Sequence, residues 1–245
     1  MTNPKIFALY YDRFDSATTS LELSAFGFYH TVLCHNNAER FTCIGEIGKL
    51  VETGNPKGIQ HNMNAALDMV SAGDWAIIIS DDYKAAYKFK PPCSFVKSGM
   101  GLVLSRLVKL TNEVDDKPIF LIGLNSTGNA LFSKNPYGFN GLVDGRCFAI
   151  KKTEYRFHDE VSTIPDYHAT AYHLAKHGQN LIYNHAYLEF TRYGKGGIGS
   201  IKDREETKRK DCEILTREFP DLLEYADKPG HAKGTHIRIV KRKIK

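Results

Sequence analysis

No run in the 245-residue chain approaches the roughly 18 consecutive apolar residues that would span a bilayer. The opening stretch, MTNPKIFALYYDR, has no basic segment followed by the long apolar region of a secretory leader. These absences lead to the expectation of a soluble, cytoplasmic protein without a membrane partner. Cysteine is sparse: Cys34, Cys43, Cys93, Cys147 and Cys212 stand singly. That scatter fits neither a paired disulfide framework nor a zinc site of closely spaced thiolates, so they read as reduced, buried small hydrophobes. There is no internal repeat, no low-complexity tract and no linker that would cut the chain in two. The glycine-rich GKGGIGS (194–200) is not a Walker sequence, because no Lys-Ser or Lys-Thr follows in the required place.

An apolar content of 42% is enough for a normal core. A net charge of +5 is mildly basic, with the excess in KDREETKRK (202–210) and HIRIVKRKIK (236–245). A polyanionic partner is allowed by this balance but not demanded by it, since solvated faces carry such runs as well.

Periodicity marks strands at KIFALYY (5–11) and FYHTVLCH (28–35). A helix is expected next, with Asn55 as N-cap, Pro56 in its first position, apolar residues at Ile59, Met63, Ala66, Leu67 and Val70, and Gly73 as its stop. WAIIIS (75–80) then reads as a buried strand, and strand, helix, strand implies parallel pairing through a right-handed crossover. Further on, helices are expected over 99–110 and 166–178, and strands over 117–124, 145–152 and 180–190. A last charged helix should open with Asp203 and Glu206 at capping-box spacing and stop at Pro220, and GTHIRIVKRKI should close the chain as a strand. The predicted class is α/β, an open, largely parallel sheet flanked by helices.

WAIIIS ends in Asp81 and Asp82. Ligands of open α/β sheets sit beyond the carboxyl ends of the strands, and a strand apolar over four residues belongs to the sheet interior, where its end meets a crevice. Adjacent acids leave the backbone in different directions. One can hold Mg²⁺ or Mn²⁺ while the other holds a sugar hydroxyl or a metal-bound water. The alternative is a polar turn at the surface.

NMNAALDMVSAGDWAIIISDDY (62–83) resembles the nucleotide-sugar glycosyltransferases of the GT-A fold, whose signature is a buried strand ending in Asp-x-Asp or Asp-Asp after a helix with a central Asn. Within that fold the chain is similar to the TET-associated glycosyltransferases of phages and some eukaryotes, thought to glycosylate hydroxymethylated pyrimidines in DNA. The resemblance runs from Asp12 and Arg13, through SDDY and FHDEVSTIPDYHATAYHLAKHGQNLIY, to GGIGSIKDR and EFPDLL, and rests on order and spacing. Two departures stand out: Ser80 occupies a place where an acid is common, and PD stands for an acidic pair ahead of the 166–178 helix, leaving only Asp166.

The resemblance implies one GT-A-like domain over 1–245, with a nucleotide-sugar-binding half over 1–90 and an acceptor-binding half over 91–245. It implies Asp82, helped by Asp81, as ligand of Mn²⁺ or Mg²⁺, with His185 as a further ligand in competition with His168, His231 and His236. Asp166 would be the base of an inverting mechanism, although an Asp there also suits a helix N-cap. Arg13, Lys57 and Asn64 would neighbour a donor such as UDP-glucose or UDP-GlcNAc, and His61 shares their helix face. Gly196 and Gly197 would form a lid over the diphosphate, with Arg204 or Lys195 adding charge; a mere hinge is the other reading. The acceptor would be DNA with hydroxymethylated bases, met in the host cytoplasm if the chain is phage-encoded. Two readings stay open beside this one: a non-catalytic nucleic-acid-binding protein, and a metal-dependent nuclease or nucleotidyltransferase using Asp81 and Asp82.

Overall fold

The computed structural model describes residues 3–10, 18–35, 48–54, 58–191, 201–227 and 232–240. Strand β4 (Trp75–Ser80) shows how the layers form. Ile77, Ile78 and Ile79 are all fully buried, as three successive β-branched residues can be only in a strand covered on both faces. Burying three such side chains contributes roughly 5–9 kcal/mol, comparable with the net stability of a whole domain. Alternation sends Trp75, Ile77 and Ile79 into one core, with helices α1 (Thr18–Ala25) and α3 (Met100–Glu113). Ala76 and Ile78 enter a second core under α2 (Ile59–Asp68) and α4 (Pro165–His177).

Strand β1 (Lys5–Tyr10) lies between β4 and β2 (His30–Cys34), and β3 (Gly48–Glu52) pairs with β2; all these pairings are parallel. The order β3-β2-β1-β4 is that of one Rossmann-type half. Beyond β4 come β9 (Cys147–Lys151), β7 (Leu121–Asn125), β10 (Leu181–Phe190), β5 (Tyr83–Lys90) and β6 (Ser94–Ser98), while β8 (Tyr137–Phe139) pairs with β10. From β3 to β10 every strand on this path except β9 points the same way. The fold is therefore α/β, an open, mixed and largely parallel sheet with helices on both faces. A third cluster joins the outer side of α4 to α5 (Ile201–Glu218) and to the antiparallel pair β11 (Leu223–Tyr225) and β12 (Ile237–Ile239). Among the described residues no helix is long and apolar enough to cross a membrane.

Several element boundaries differ from those expected. Helix α2 begins at Ile59 after Gly58, whose φ of 147° suits glycine, and ends at Asp68, short of Gly73. The expected cap Asn55, with Pro56 and Lys57, lies outside the described residues. Helix α5 starts at Ile201, so Asp203 and Glu206 fall inside it instead of at its cap. The strand expected from 117 begins at Leu121, and that expected over 145–152 runs antiparallel to its neighbours. Helix α1, strand β3 and the β5–β6 hairpin are not among the expected elements. A division at residue 90 falls inside that hairpin; the chain passes between the halves of the sheet at Asp81 and Asp82.

Helix α4 carries two buried histidines. His173 Nδ1–H donates to the Ala169 carbonyl at 2.8 Å, and His168 Nδ1 lies 3.0 Å from the Tyr155 hydroxyl. Burial pushes both imidazoles down to about 4. Each stays neutral in the folded state while the unfolded chain takes up protons below about 6.5. Stability should therefore be lost as pH falls from about 6.5 through 4. The urea midpoint is expected to drop over that window, and less steeply in His173→Phe.

Candidate functional site

Strand order reverses between β1 and β4, and the crevice beyond their carboxyl ends is where an open sheet of this kind binds ligands. Ser80 ends β4, and Asp81 and Asp82 form the turn into β5. The Thr19 hydroxyl closes that turn, donating to the Ser80 carbonyl at 2.9 Å and accepting from Tyr83 N–H at 3.4 Å. The two acids diverge. Asp81 is buried near the Tyr10 phenol, whose ionisation is pushed far up by burial, with the charge of Asp81 adding to the effect. Asp82 is partly exposed and accepts a hydrogen bond from Ser80 Oγ at 2.7 Å. Its carbonyl accepts from Thr191 N–H at 2.8 Å, tying the turn to the end of β10.

Antiparallel pairing of β9 with β4 brings a second segment alongside. Ile79 faces Cys147, and Ser80 N–H donates to the Arg146 carbonyl at 2.8 Å. Asp144, Gly145 and Arg146 therefore lie next to the acid turn. The Arg146 guanidinium grips Asp144, through Nε to Oδ1 at 2.8 Å and through Nη2 to Oδ2, and its centre lies 5.4 Å from the Phe190 ring centroid. The bonds to Asp144 raise its basicity further, and the charge of Asp82 adds to that.

Gly145 allows a close approach. A Cβ there would come within 3.0 Å of the Asp166 Cβ, tighter than nearly all such contacts. Asp166 sits in the first turn of α4, behind Pro165. Burial, and next the nearby charge of Asp144, raise its carboxyl to about 7, against the opposing pull of the Tyr167 and Gly145 N–H groups. Asp166 is not the cap of its helix: the N-cap position is Ile164, with no side-chain cap of its own. The buried Asp211 of α5 binds the chain just ahead of it instead, accepting from Thr163 N–H at 2.7 Å and Thr163 Oγ1 at 2.6 Å. The resulting cluster is Asp82, Arg146, Asp144 and Asp166.

The other expected site residues fall differently. Asn64 is committed to the backbone of Phe157, donating to its carbonyl at 2.9 Å and accepting from its N–H at 2.8 Å. The register of β10 on β5 carries His185 away from the acids: Phe190 faces Tyr83, whereas His185 stacks on Phe89 with ring centroids 4.5 Å apart. The expected metal set of Asp81, Asp82 and His185 is not brought together, because β10 runs back along β5 and the two acids diverge. Among the described residues no group of three His, Cys, Asp or Glu side chains is placed to hold a metal ion. A carboxylate beside a hydroxyl still suits a hard cation, so Asp82 fits Mg²⁺ or Mn²⁺ as one ligand among oxygen donors supplied by substrate and water.

Arg204 precedes Asp211 by two helical turns and so lies on the same face of α5, about 10 Å toward its N-terminus. Arg13, Lys57, Gly196 and Gly197, with Lys195, lie outside the described residues. Asp144, Arg146 and Thr19 were not anticipated. The signal for the first two was present in VDGR, an acid–glycine–base turn directly ahead of the apolar CFAI. A separate cavity of about 480 Å³ lies on the other side of α2, with Glu52, His61, Asp68, Arg156 and Asp159 among its lining.

No family model matches the chain, and no curated protein matches it. Among solved structures, one match is the CMP:2-keto-3-deoxy-manno-octonic acid synthetase complexed with CTP. It is 10% identical, with a TM-score of 0.43 over 75% of this chain and 90% of that one. A likeness at this level assigns neither ligand nor reaction.

The raised carboxyl of Asp166 has a thermodynamic consequence. Its proton is held in the folded state up to about 7 but lost from the unfolded chain near 4, so its contribution to stability falls as pH rises between those values. Asp166→Asn removes that cost. Its melting temperature is expected to exceed the parent's at pH 8 and to match it at pH 4.5, a difference read by paired thermal scans.

Proposed function

We propose that the protein is a metal-dependent glycosyltransferase that moves a sugar from a nucleotide sugar, UDP-linked, to the hydroxyl of a hydroxymethylated pyrimidine in DNA. The observation that carries this reading is the convergence of Asp82, Arg146, Asp144 and Asp166 at the reversal of strand order. One carboxylate there suits a cation, and another has an acidity matched to proton transfer near neutral pH.

In this reading Asp82 would hold a divalent ion, and the chemistry that ion would supply is Lewis-acid neutralisation of the leaving diphosphate. Asp81, turned toward Tyr10, stiffens the turn that presents Asp82. Arg146 provides fixed positive charge beside the diphosphate, and Asp144 holds the guanidinium in one orientation. Asp166 accepts the proton of the acceptor hydroxyl as its oxygen bonds to the anomeric carbon and the bond from that carbon to the diphosphate breaks. A base near 7 is half ionised at neutral pH, so it is both available and strong enough to take the proton. Arg204, near the start of α5, would add positive charge beside the donor. The acceptor identity rests on the resemblance of motif order and on the net charge of +5.

The test combines the protein with Mn²⁺, a panel of nucleotide sugars and DNA containing 5-hydroxymethylcytosine, followed by mass analysis of the nucleosides. A sugar adduct is expected. Asp82→Ala should abolish it, and Asp166→Asn should slow it about 10²- to 10⁴-fold. Neither adduct formation nor nucleotide-sugar hydrolysis with any donor would sink the proposal, and cut DNA would point to a nuclease.

A further inference from the structure

Helix α4 ends on two histidines one turn apart, and neither belongs to the acid cluster. His173 and His177 fall at i and i+4, so both project from the same helix face, and their ring centroids lie 5.7 Å apart with the rings inclined by 39°. His173 is fully buried against Tyr155 and Tyr172, whose ring centroids stand 4.9 and 5.4 Å away. His177 is partly exposed and stacks on Phe120, the residue ahead of β7, with centroids 3.9 Å apart.

The bond from His173 Nδ1–H to the Ala169 carbonyl, at 2.8 Å, leaves Nε2 of the neutral ring as a bare lone pair. That Nε2 is shut off from solvent and has no hydrogen-bond partner among the described residues, and the same holds for Nε2 of His177. Buried polar atoms without partners are uncommon in folded proteins, and two of them a turn apart share one explanation if a single atom bridges them. An imidazole fixed by a backbone carbonyl at one nitrogen and open at the other is how metal-bound histidines are held. An ion about 2.1 Å from each of two such nitrogens, at a tetrahedral angle, sets the ring centres roughly 5 to 6 Å apart, which is the spacing found.

The charges nearby fit a cation. Burial holds the His173 imidazole down to about 4 and lowers that of His177 as well, so an incoming ion has little proton competition near neutral pH. The charge of Glu154 acts on both rings. Its carboxylate accepts from the Tyr172 hydroxyl at 3.3 Å and pairs with Lys176 Nζ at 3.5 Å. Lys176 opposes a cation, but its side chain is 57% exposed and that of Glu154 66%, so this side of the pair borders solvent.

We propose that His173 and His177 form a site for a divalent ion that prefers imidazole, Zn²⁺ being the leading case, with water and the Glu154 carboxylate completing its coordination. Neutral nitrogen donors suit Zn²⁺, Cu²⁺ or Ni²⁺ and suit Mg²⁺ or Mn²⁺ poorly, so this ion differs in chemistry from one held by Asp82. By joining residues a turn apart it would stiffen the last turn of α4, the helix whose first turn carries Asp166. The site is independent of the sugar transfer proposed above.

The probe is ZnCl₂, titrated by calorimetry into the untagged full chain after removal of metal with EDTA and return to buffer with an excess of Mg²⁺. Binding is expected, and the melting temperature should rise by about 5–10 °C when free Zn²⁺ reaches about a hundredfold excess over its dissociation constant. His177→Gln, at a partly exposed position and checked for folding by circular dichroism, should lose that ion and its temperature shift. Lys176→Ala should bind several-fold more tightly, since a like charge is removed. Asp82→Ala should bind as the parent does, so loss of sugar transfer with this ion retained would separate the two proposals.

Absence of any Zn²⁺-dependent shift would overturn the proposal and leave a bridging water as the occupant. A shift kept in full by His177→Gln and by His173→Phe would overturn it by placing the ion elsewhere on the chain. A shift lost in Asp82→Ala instead would assign the ion to the acid turn.

Discussion

The hydrogen bond from Ser80 N–H to the Arg146 carbonyl joins the two halves of the sheet at the point where chemistry can occur. Everything in the candidate site is placed relative to it. On one side the buried isoleucines of β4 anchor Ser80 between two helical layers, so the turn that follows has little freedom to shift. On the other, antiparallel β9 starts at the level where β4 ends, which delivers Asp144, Gly145 and Arg146 to the acids. Had β9 run parallel, its opposite end would stand there, and Arg146 would lie at the far edge of the sheet.

Two further contacts fix this placement and set its electrostatics. The Thr19 hydroxyl fills the gap between Ser80 and Tyr83, so α1 holds the acid turn from the face opposite the cluster. Asp211 holds the start of α4 from α5, and the missing Cβ of Gly145 lets that helix bring Asp166 close to Asp144. Burial and a like charge then act together on one carboxyl, while the other acids keep Arg146 or a hydroxyl as partner. Neighbouring carboxylates in this cluster thus differ in acidity because their surroundings differ.

Not every group in the cluster serves stability. Asp166 is a destabilising presence at neutral pH because its charge is enclosed, and the fold carries that cost alongside the gain from three layers of apolar contact. The partly covered aromatic rings of β5, β6 and β10 are a second place where the core is not optimised. Alanines lie where α3 packs, and the larger rings lie where it does not.

The strands β1, β2, β4 and β10 and the helices α3 and α4 were legible from the residues, because long apolar periods, and a glycine such as Gly178 at the C-cap of α4, are local signals. Strand β4 and its terminal acids were legible for the same reason: a run of isoleucines has to be covered on both sides, so its end has to meet a crevice. The partners of those acids were not. His185 and Asp144 are both polar residues near strands, and only the strand order and the bend of β10 send the first to Phe89 and the second to Arg146. Asn64 stands mid-helix in the expected place, yet tertiary packing assigns its amide to Phe157. Local periodicity thus determined the elements and one end of the site. Long-range register decided which side chains meet there, since strand pairing between distant segments leaves no imprint on the sequence of either one alone.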